Sequence, residues 1–588
     1  MLDINDFKDN LVEFECLRIR DARTIWLNDE AAADLENVLD KGLSEAGFAR
    51  HFAYMSKANR CFGEGELDEN DSRTYWAERY GGRGVGDNGG GGRAGNFGKF
   101  QIKGNGPNPL AGGQSVWHSY GSLNLVDAAY EAIYSTVLGR ILPMGCAKIY
   151  GLIRTSDTGA FQLFGWGTEE TELTPAPGAI LVRERVLRPA HLMHAEHFTP
   201  PKTSSLKREP MRIRSVYRQL KTKFDSDNHF IQFAGRFILA SAKQFTFARA
   251  ARIAHGGLTP SNVSLDGRWL DLTEARFLSG GKNFRGQTTF FDEPHVVMES
   301  VRQLLYIYGK CNGAQFNIEP LLRYFDRVFA NCFAYYSLSV LGLPETHLEN
   351  IAESDDGRVI AAAYDAVVRK SKAPLADLPA QHDPDDPVIA FMRLSYLGLA
   401  NSENVLQRFS ELLRTTPDKA HDVLVAFKDV LRSAALQRLE SPGPDRVRNC
   451  YIACAIKALR WAYLSAYFYR GRIASQLHTM AHEKRLDELG HYIQDCVDQS
   501  KWIFDTACTG QIVIAQTGKI RVAYDETLHR YTVAGDCDCT FERYEDCLSF
   551  VTANYPDLQV SGTFDLDFYL QALGEVLTSL ENMSCTQV

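Results

Sequence analysis

From Gly81 to Gly98 the chain is too rich in glycine for a helix or strand interior, because glycine loses more backbone entropy on ordering than any other residue. The run must be a loop. It carries Arg83 and Arg93 and leads into the alternating stretch Lys99-Phe-Gln-Ile-Lys103, which reads as a strand. Bare backbone feeding a strand in this way suits a loop held close to phosphates, where amide N–H groups and a nearby cation meet the negative charge. Within the run, Gly84-Val-Gly86-Asp-Asn-Gly89 matches G-x-G-x-x-G. A glycine-rich segment meets that pattern by chance, so its context decides. No helix follows immediately, which excludes the dinucleotide-binding form of the motif.

A second constellation is His255-Gly-Gly-Leu-Thr-Pro-Ser-Asn262-Val-Ser, followed by Asp271 in Trp-Leu-Asp-Leu. A loop ending in Asn, then a strand ending in Asp, is how a kinase-like fold presents an amide oxygen and a carboxylate to one Mg²⁺. In such a fold the strand lysine, Lys103, reaches nucleotide phosphates and is oriented by a helix carboxylate. Glu131 is the first candidate for that carboxylate and Asp127 the second, both within the helical period of 127–142. Taken singly, Lys103 reads as a solvated strand lysine. The ordered set of Gly-rich loop, strand Lys, helical acid, loop Asn and strand Asp is what makes the nucleotide reading specific.

At 588 residues the chain exceeds what one core usually serves, so two or three domains are expected. Its 45% hydrophobic and 23% charged residues exclude disordered and fibrous classes. A net charge of −9 gives no general reason to bind nucleic acid or an anionic membrane. Residues 1–10 lack the basic start and apolar core of a signal peptide, and no apolar run approaches the ~20 residues that span a bilayer. A cytoplasmic protein is the expectation. Its thirteen Cys are scattered and odd in number, which argues against a complete disulfide framework. Cys537, Cys539 and Cys547, with His529 nearby, lack the paired spacing of zinc knuckles and read as small apolar residues.

Periodicity predicts helices over 29–39 (Leu35, Val38 and Leu39 on one face), 230–253, 293–308 and 319–343, and a strand over 178–183. The Pro- and Asp-rich stretch 370–387 reads as a linker. Helices are expected over 423–439 and 451–489, then strands over 512–514, 519–523 and 530–533, then a helix over 541–552. These patterns predict an α+β protein with a kinase-like bilobal core. Its parts are an N-terminal packing segment (1–75), a lobe with the Gly-rich loop (76–215), a lobe with the metal motif (216–370), a helical extension (390–509) and a small α+β module (510–588).

The chain resembles the SelO/YdiU family of kinase-fold protein adenylyltransferases. The resemblance rests on Gly92-Arg93-Ala94 with Phe100-Gln-Ile-Lys103-Gly-Asn-Gly-Pro-Asn-Pro109, on Gly178-Ala-Ile-Leu-Val-Arg183, and on Ala254-His255-Gly256 through Asn262 and Asp271. It spans roughly residues 75–310. It implies ATP held in reversed orientation, so that AMP is transferred and pyrophosphate leaves. It further implies that Lys103 binds phosphate, that Asn262 and Asp271 hold Mg²⁺, and that Arg93 and Arg183 form a basic pocket around the buried phosphates. Glu131 would orient Lys103, Gly84, Gly86 and Gly89 would belong to the loop over the nucleotide, and His255 would brace its own loop. Arg83, Arg185 and Arg188 are set aside, since a surface ion pair is the commoner role of a single arginine.

Two departures stand out. The family places Asp immediately before the metal Asn, as a base towards an acceptor hydroxyl, and this chain has Ser261. A second pocket arginine is replaced near Met193 or His194. General-base assistance contributes about 10²–10⁴-fold, so its loss favours an acceptor already ionised, such as a peptide carboxylate forming an acyl-adenylate. SelO-like proteins resemble components of microcin maturation systems, where a peptide C-terminus is joined to a glycosylated siderophore in an ATP-dependent step, and this gives that expectation a family precedent. The expected partner is thus a protein or peptide acceptor, with or without a partner modification enzyme. The alternatives are a catalytically weak nucleotide-binding scaffold and an ordinary phosphotransferase.

Overall fold

The computed structural model describes residues 2–36, 44–112, 120–164, 172–200, 205–278, 290–346, 348–369, 386–439, 443–507, 510–535, 538–556, 558–561, 564–584 and 587. The protein is mixed α+β with a large antiparallel sheet. Among the described residues that sheet has nine strands. Their spatial order is Arg23–Leu27, Ile149–Arg154, Gly178–Glu184, Phe100–Lys103, Ala94–Phe97, Leu67–Glu78, Leu11–Ile19 and Tyr54–Ser56, and Leu123–Asn124 pairs with Gly178–Glu184 off this path. Leu11–Ile19 shows why it is a strand: Val12, Phe14 and Cys16 point inward while Glu13 and Glu15 point out, the period-2 alternation of a half-buried strand.

Residues 1–75 therefore supply strands to the sheet, rather than a segment laid against it, and a division at 75 falls inside Leu67–Glu78. The expected 29–39 helix is a 3₁₀ turn, Asp29–Ala31, and a short helix, Ala32–Glu36, with Leu35 buried. Val38 and Leu39 lie outside the described residues. The Gly-rich run also contains a strand that composition hid: Ala94–Phe97 turns at Gly98, at φ +60°, into Phe100–Lys103.

Against the sheet lies the helix Leu125–Ile141, capped by Asn124, whose side chain accepts the Asp127 N–H at 2.7 Å. It is buried without a break from Ala128 to Leu138, so it has neighbours on every face. The long helix Asp227–Ala250 precedes the His255 loop, and Glu293–Asn312 and Glu319–Val340 follow it, close to the predicted spans. Residues 370–385 of the expected linker lie outside the described residues, and Pro387 opens the helix Pro387–Ala400.

The predicted 451–489 helix is instead divided. Pro444–Leu464 ends in a 3₁₀ turn at Ser465–Phe468, Arg470–His482 follows, and Leu489–Ile503 starts anew. Beyond it, Gln511–Gln516, Arg521–Asp525, Arg530–Ala534 and Cys539–Phe541 form a four-stranded meander, covered by Tyr544–Asn554 and Asp567–Glu581. One continuous apolar core runs from Phe7 to Met583 and joins these parts, while a second cluster fills the face of the large sheet formed by Phe14, Tyr75, Phe100 and Ile180. Among the described residues no helix is long and apolar enough to cross a membrane.

Candidate functional site

Lys103 ends its strand pointing inward and is 3% exposed. Its ammonium group donates to Glu131 Oε2 at 2.6 Å and to Asp271 Oδ1 at 2.5 Å. Glu131 is fully buried, and its other oxygen accepts from Arg183 Nη1 at 2.5 Å. A lysine flanked by two carboxylates, one of them shared with an arginine, is a charge-assisted network whose geometry leaves Lys103 little freedom. Asp127 takes no part. It belongs to the helix cap, where its carboxylate accepts from the Asn124 amide at 2.6 Å.

Asp271 sits at φ +61°, a left-handed conformation rare for a residue with a side chain. Partial burial opposes its ionisation, but Lys103, Arg183 and Arg93 outweigh that and hold the carboxyl well below the usual range. The loop before it is closed at its base by pairing of Ile253–Ala254 with Arg276–Phe277. Inside the loop, Leu270 N–H donates to the Asn262 carbonyl at 3.1 Å, which sets Asp271 beside Asn262. His255 completes the brace: its buried ring nitrogen Nε2 lies 3.2 Å from the carbonyls of both Asn262 and Leu270. Burial pushes this imidazole down to about 4, so it is neutral at pH 7 and donates rather than carrying charge.

Sequence reasoning missed Glu293, which anchors the same loop from the first turn of Glu293–Asn312. Its carboxyl oxygens accept from the Gly256 N–H at 2.7 Å and the His255 N–H at 3.2 Å. Burial pushes this carboxyl up to about 8 against those two backbone donors.

Lys103 and Asp271 open onto a cavity of about 180 Å³, which Glu131, His255 and Glu293 support from behind without lining it. Its wall includes Gly84, Gly90, Gly91, Gly92 and Arg93 from the Gly-rich run, with Lys103, Arg183, Asn262 and Asp271. Gly86 and Gly89 are not in that wall. Gly89 packs where a Cβ would meet the Phe198 ring at 2.6 Å, and Gly86 has open space around it. Gly84 closes the Gly-rich loop onto the loop that carries Asn262, since a Cβ there would lie 2.9 Å from the Thr259 methyl carbon.

Arg188, set aside at the sequence level, belongs to the cavity. It is 3% exposed and donates to Gln101 Oε1 at 2.9 Å and to the Ser261 carbonyl at 3.1 Å, with Glu78 3.4 Å away. It supplies a second buried arginine beside Arg183, whose Nε shares the same Gln101 oxygen at 2.8 Å. Glu78 lies behind them. Burial opposes its ionisation, yet Arg188 and His191 prevail and push it down to about 2. The Gln101 signal was present in sequence, since residues two apart in a strand share a face. Nothing local marked Arg188 or Glu78.

No protein-family model and no curated protein matches the chain.

Four cations (Arg93, Lys103, Arg183 and Arg188) face the cavity against the carboxylates of Glu78 and Asp271. Arg93 lines the cavity and helps to hold the Asp271 carboxyl down, with no ion pair to a carboxylate among the described residues. Asp271 Oδ1 is taken by Lys103, while Oδ2 has no protein donor among the described residues. Asn262 is held by its amide, Nδ2 donating to the Gly257 carbonyl at 2.8 Å. A carboxylate and an amide oxygen are hard donors, and they suit Mg²⁺, which takes one or two protein oxygens and fills its shell with water and phosphate. Among the described residues no three His, Cys, Asp or Glu side chains gather as a metal site, and Cys537 lies outside those residues. Ser261 Oγ is 2.8 Å from Thr259 Oγ1 and 3.2 Å from Asn262 Oδ1, a hydroxyl where a general-base carboxylate was expected.

Proposed function

We propose that the cavity binds Mg-ATP with its phosphates inward and that the chain transfers AMP to an ionised carboxylate of a protein or peptide acceptor. In this reading the sheet with Leu125–Ile141 and the helices from residue 227 onward are the two lobes of a kinase-like core, in keeping with the resemblance to SelO. The observation that carries it is the chemistry of the buried wall. Glu78, Gln101, Arg183 and Arg188 are each no more than 3% exposed, and together they form a polar, cationic inner end rather than an apolar slot for a purine. Arginine forks there suit phosphate oxygens through paired hydrogen bonds.

With the β- and γ-phosphates seated inward, the α-phosphorus faces outward. The acceptor oxygen attacks it, the bond from the α-phosphorus to the bridging oxygen breaks, and pyrophosphate leaves with the electron pair. Lys103, Arg93, Arg183 and Arg188 stabilise the charge that develops on that leaving group. Asp271 and Asn262 would hold the Mg²⁺, which when bound supplies further counter-charge to the phosphates. Glu131 keeps Lys103 directed into the cavity. A carboxylate acceptor needs no proton removed, which agrees with a hydroxyl at Ser261.

The test is a paired labelling experiment on the full chain and its Asp271→Ala variant, with a peptide extract as acceptor. The expected result is incorporation from α-labelled ATP, release of the adduct by hydroxylamine, and none from γ-labelled ATP. Transfer from γ-labelled ATP would replace this reading with phosphotransfer. Binding of Mg-ATP with no transfer of either label would replace it with a scaffold role.

A further inference from the structure

We infer that the helical layer beyond residue 443 fixes the geometry of this site, with Arg470 as the positioning residue. The inference rests on reading Lys103, Glu131 and Asp271 as the nucleotide site. The helix carrying Glu131 lies between two supports: strands Ile149–Arg154 and Gly178–Glu184 on one side, helices Arg470–His482 and Leu489–Ile503 on the other. Arg470 opens the first of those helices and reaches both halves of the site at once.

Its guanidinium carbon lies 4.6 Å from the centre of the Tyr130 ring, immediately before Glu131. One arm donates to the Thr273 carbonyl, two residues beyond Asp271, and another lies 3.5 Å from Glu274 Oε1. Tyr130 closes the triangle, its hydroxyl donating to the Ala275 carbonyl at 2.6 Å. The Glu131 helix and the segment after Asp271 are thus joined to each other and to one side chain from the helical layer. Tyr134 extends the contact, stacking on Tyr130 at 4.4 Å and donating to the Phe468 carbonyl, while Phe277 stacks on Phe504 at 5.4 Å.

The residue type matters here. A planar fork can stack on a ring while its edges donate, which a lysine ammonium cannot do. At 22% side-chain exposure Arg470 is largely withdrawn from water, which strengthens each of these contacts. Asp271 itself is held in a left-handed conformation, and such a residue keeps its geometry only when its surroundings over-determine it. Arg470 is one of those surroundings.

Amide hydrogen exchange on the full chain without nucleotide tests this, comparing wild type with Arg470→Ala, Arg470→Lys and Arg472→Ala. Arg472 is the control from the same helix, packed on the Tyr467 and Phe564 rings at 4.1 and 5.6 Å. Arg470→Ala is expected to speed exchange about tenfold over 129–135 and 270–276, the change that follows loss of one charge-assisted contact. Arg470→Lys should give a smaller increase in the same two segments, and it carries the test if the alanine variant fails to fold. Arg472→Ala should leave both segments at wild-type rates. The inference is overturned if the Arg470 variants leave these segments unchanged, or if Arg472→Ala speeds them equally. Because exchange is read without nucleotide, a wild type that transfers no AMP would sink the proposed function and leave this inference standing.

Discussion

Two buried ion clusters lie within the first 280 residues, and they differ in what they leave unused. Around Arg212 the cluster is closed. Its Nε meets both Glu209 oxygens at 3.0 and 3.1 Å, Nη1 donates to Asn10 and to the His191 carbonyl, and Nη2 donates to Glu209 and the Met193 carbonyl. Arg79 adds a second cation to Glu209 at 2.5 Å, and its own Nε is the buried donor of this pair without a partner among the described residues. Around Lys103 the cluster is open. Its cations line a cavity, Arg93 reaches no carboxylate among the described residues, and one Asp271 oxygen has no protein donor among them. Both clusters hold ions out of water, so burial of charge does not mark a site. Donors and acceptors left facing a cavity do.

The comparison breaks most visibly at Arg212. Arg212→Met should cost about 3–5 kcal/mol of stability, because Asn10 Oδ1 and the Met193 carbonyl lose their shared buried donor and Glu209 keeps only Arg79 as a cation. Urea unfolding reads the loss directly, and Mg-ATP binding by the molecules that remain folded should be unchanged. A variant as stable as wild type would mean the closed cluster is dispensable.

Lys103→Met should have the converse profile. Loss of one preorganised group on the leaving phosphates is expected to lower AMP transfer by about 10²–10³-fold. Lys103 makes two hydrogen bonds against the six of Arg212, and Glu131 retains Arg183, so the urea midpoint should move far less than for Arg212→Met. A midpoint shift as large as that of Arg212→Met would erase the distinction between the clusters.

Acid titration sharpens it further. Glu78 is lowered in the folded state from 4.5 to about 2, chiefly by Arg188 and His191 against burial. A carboxyl depressed by folding stabilises above its unfolded value and loses that contribution as pH falls from there towards the folded value. Between pH 6 and pH 3 this group should account for about 2 kcal/mol of lost stability, given 1.36 kcal/mol per pH unit. Urea midpoints across that window should fall less steeply for Glu78→Gln than for wild type. Parallel curves would remove Glu78 from the linkage.

The parts of the site that sequence made legible are those whose signals are local. Glycine excludes regular structure wherever it is dense, and Lys103, Glu131, Asn262 and Asp271 each stand at a readable place in a strand, helix or loop. The missed residues depend on long-range register: Arg188 and Glu78 meet across 110 positions, and Arg470 reaches Thr273 across 197. Periodicity holds no trace of such pairings. The strand Leu67–Glu78 escaped for another reason. Its first half, Leu-Asp-Glu-Asn-Asp-Ser, has poor strand propensity, and pairing with Leu11–Ile19 forms it, helped by Arg18 to Asp68 at 3.3 Å and Tyr54 to Asp71 at 2.8 Å. The divided 451–489 stretch shows the same limit, since Ser465-Ala-Tyr-Phe suits a helix and only packing turns it into 3₁₀.

Under the proposed function, phosphates and not the purine occupy the inner end of the open cluster. An experimental structure with Mg²⁺ and a non-hydrolysable ATP analogue measures that directly. The expected result is terminal phosphates against Arg183 and Arg188, with the α-phosphorus directed to the mouth. Adenine seated against Arg183 and Arg188, with the γ-phosphate at the mouth, would contradict it.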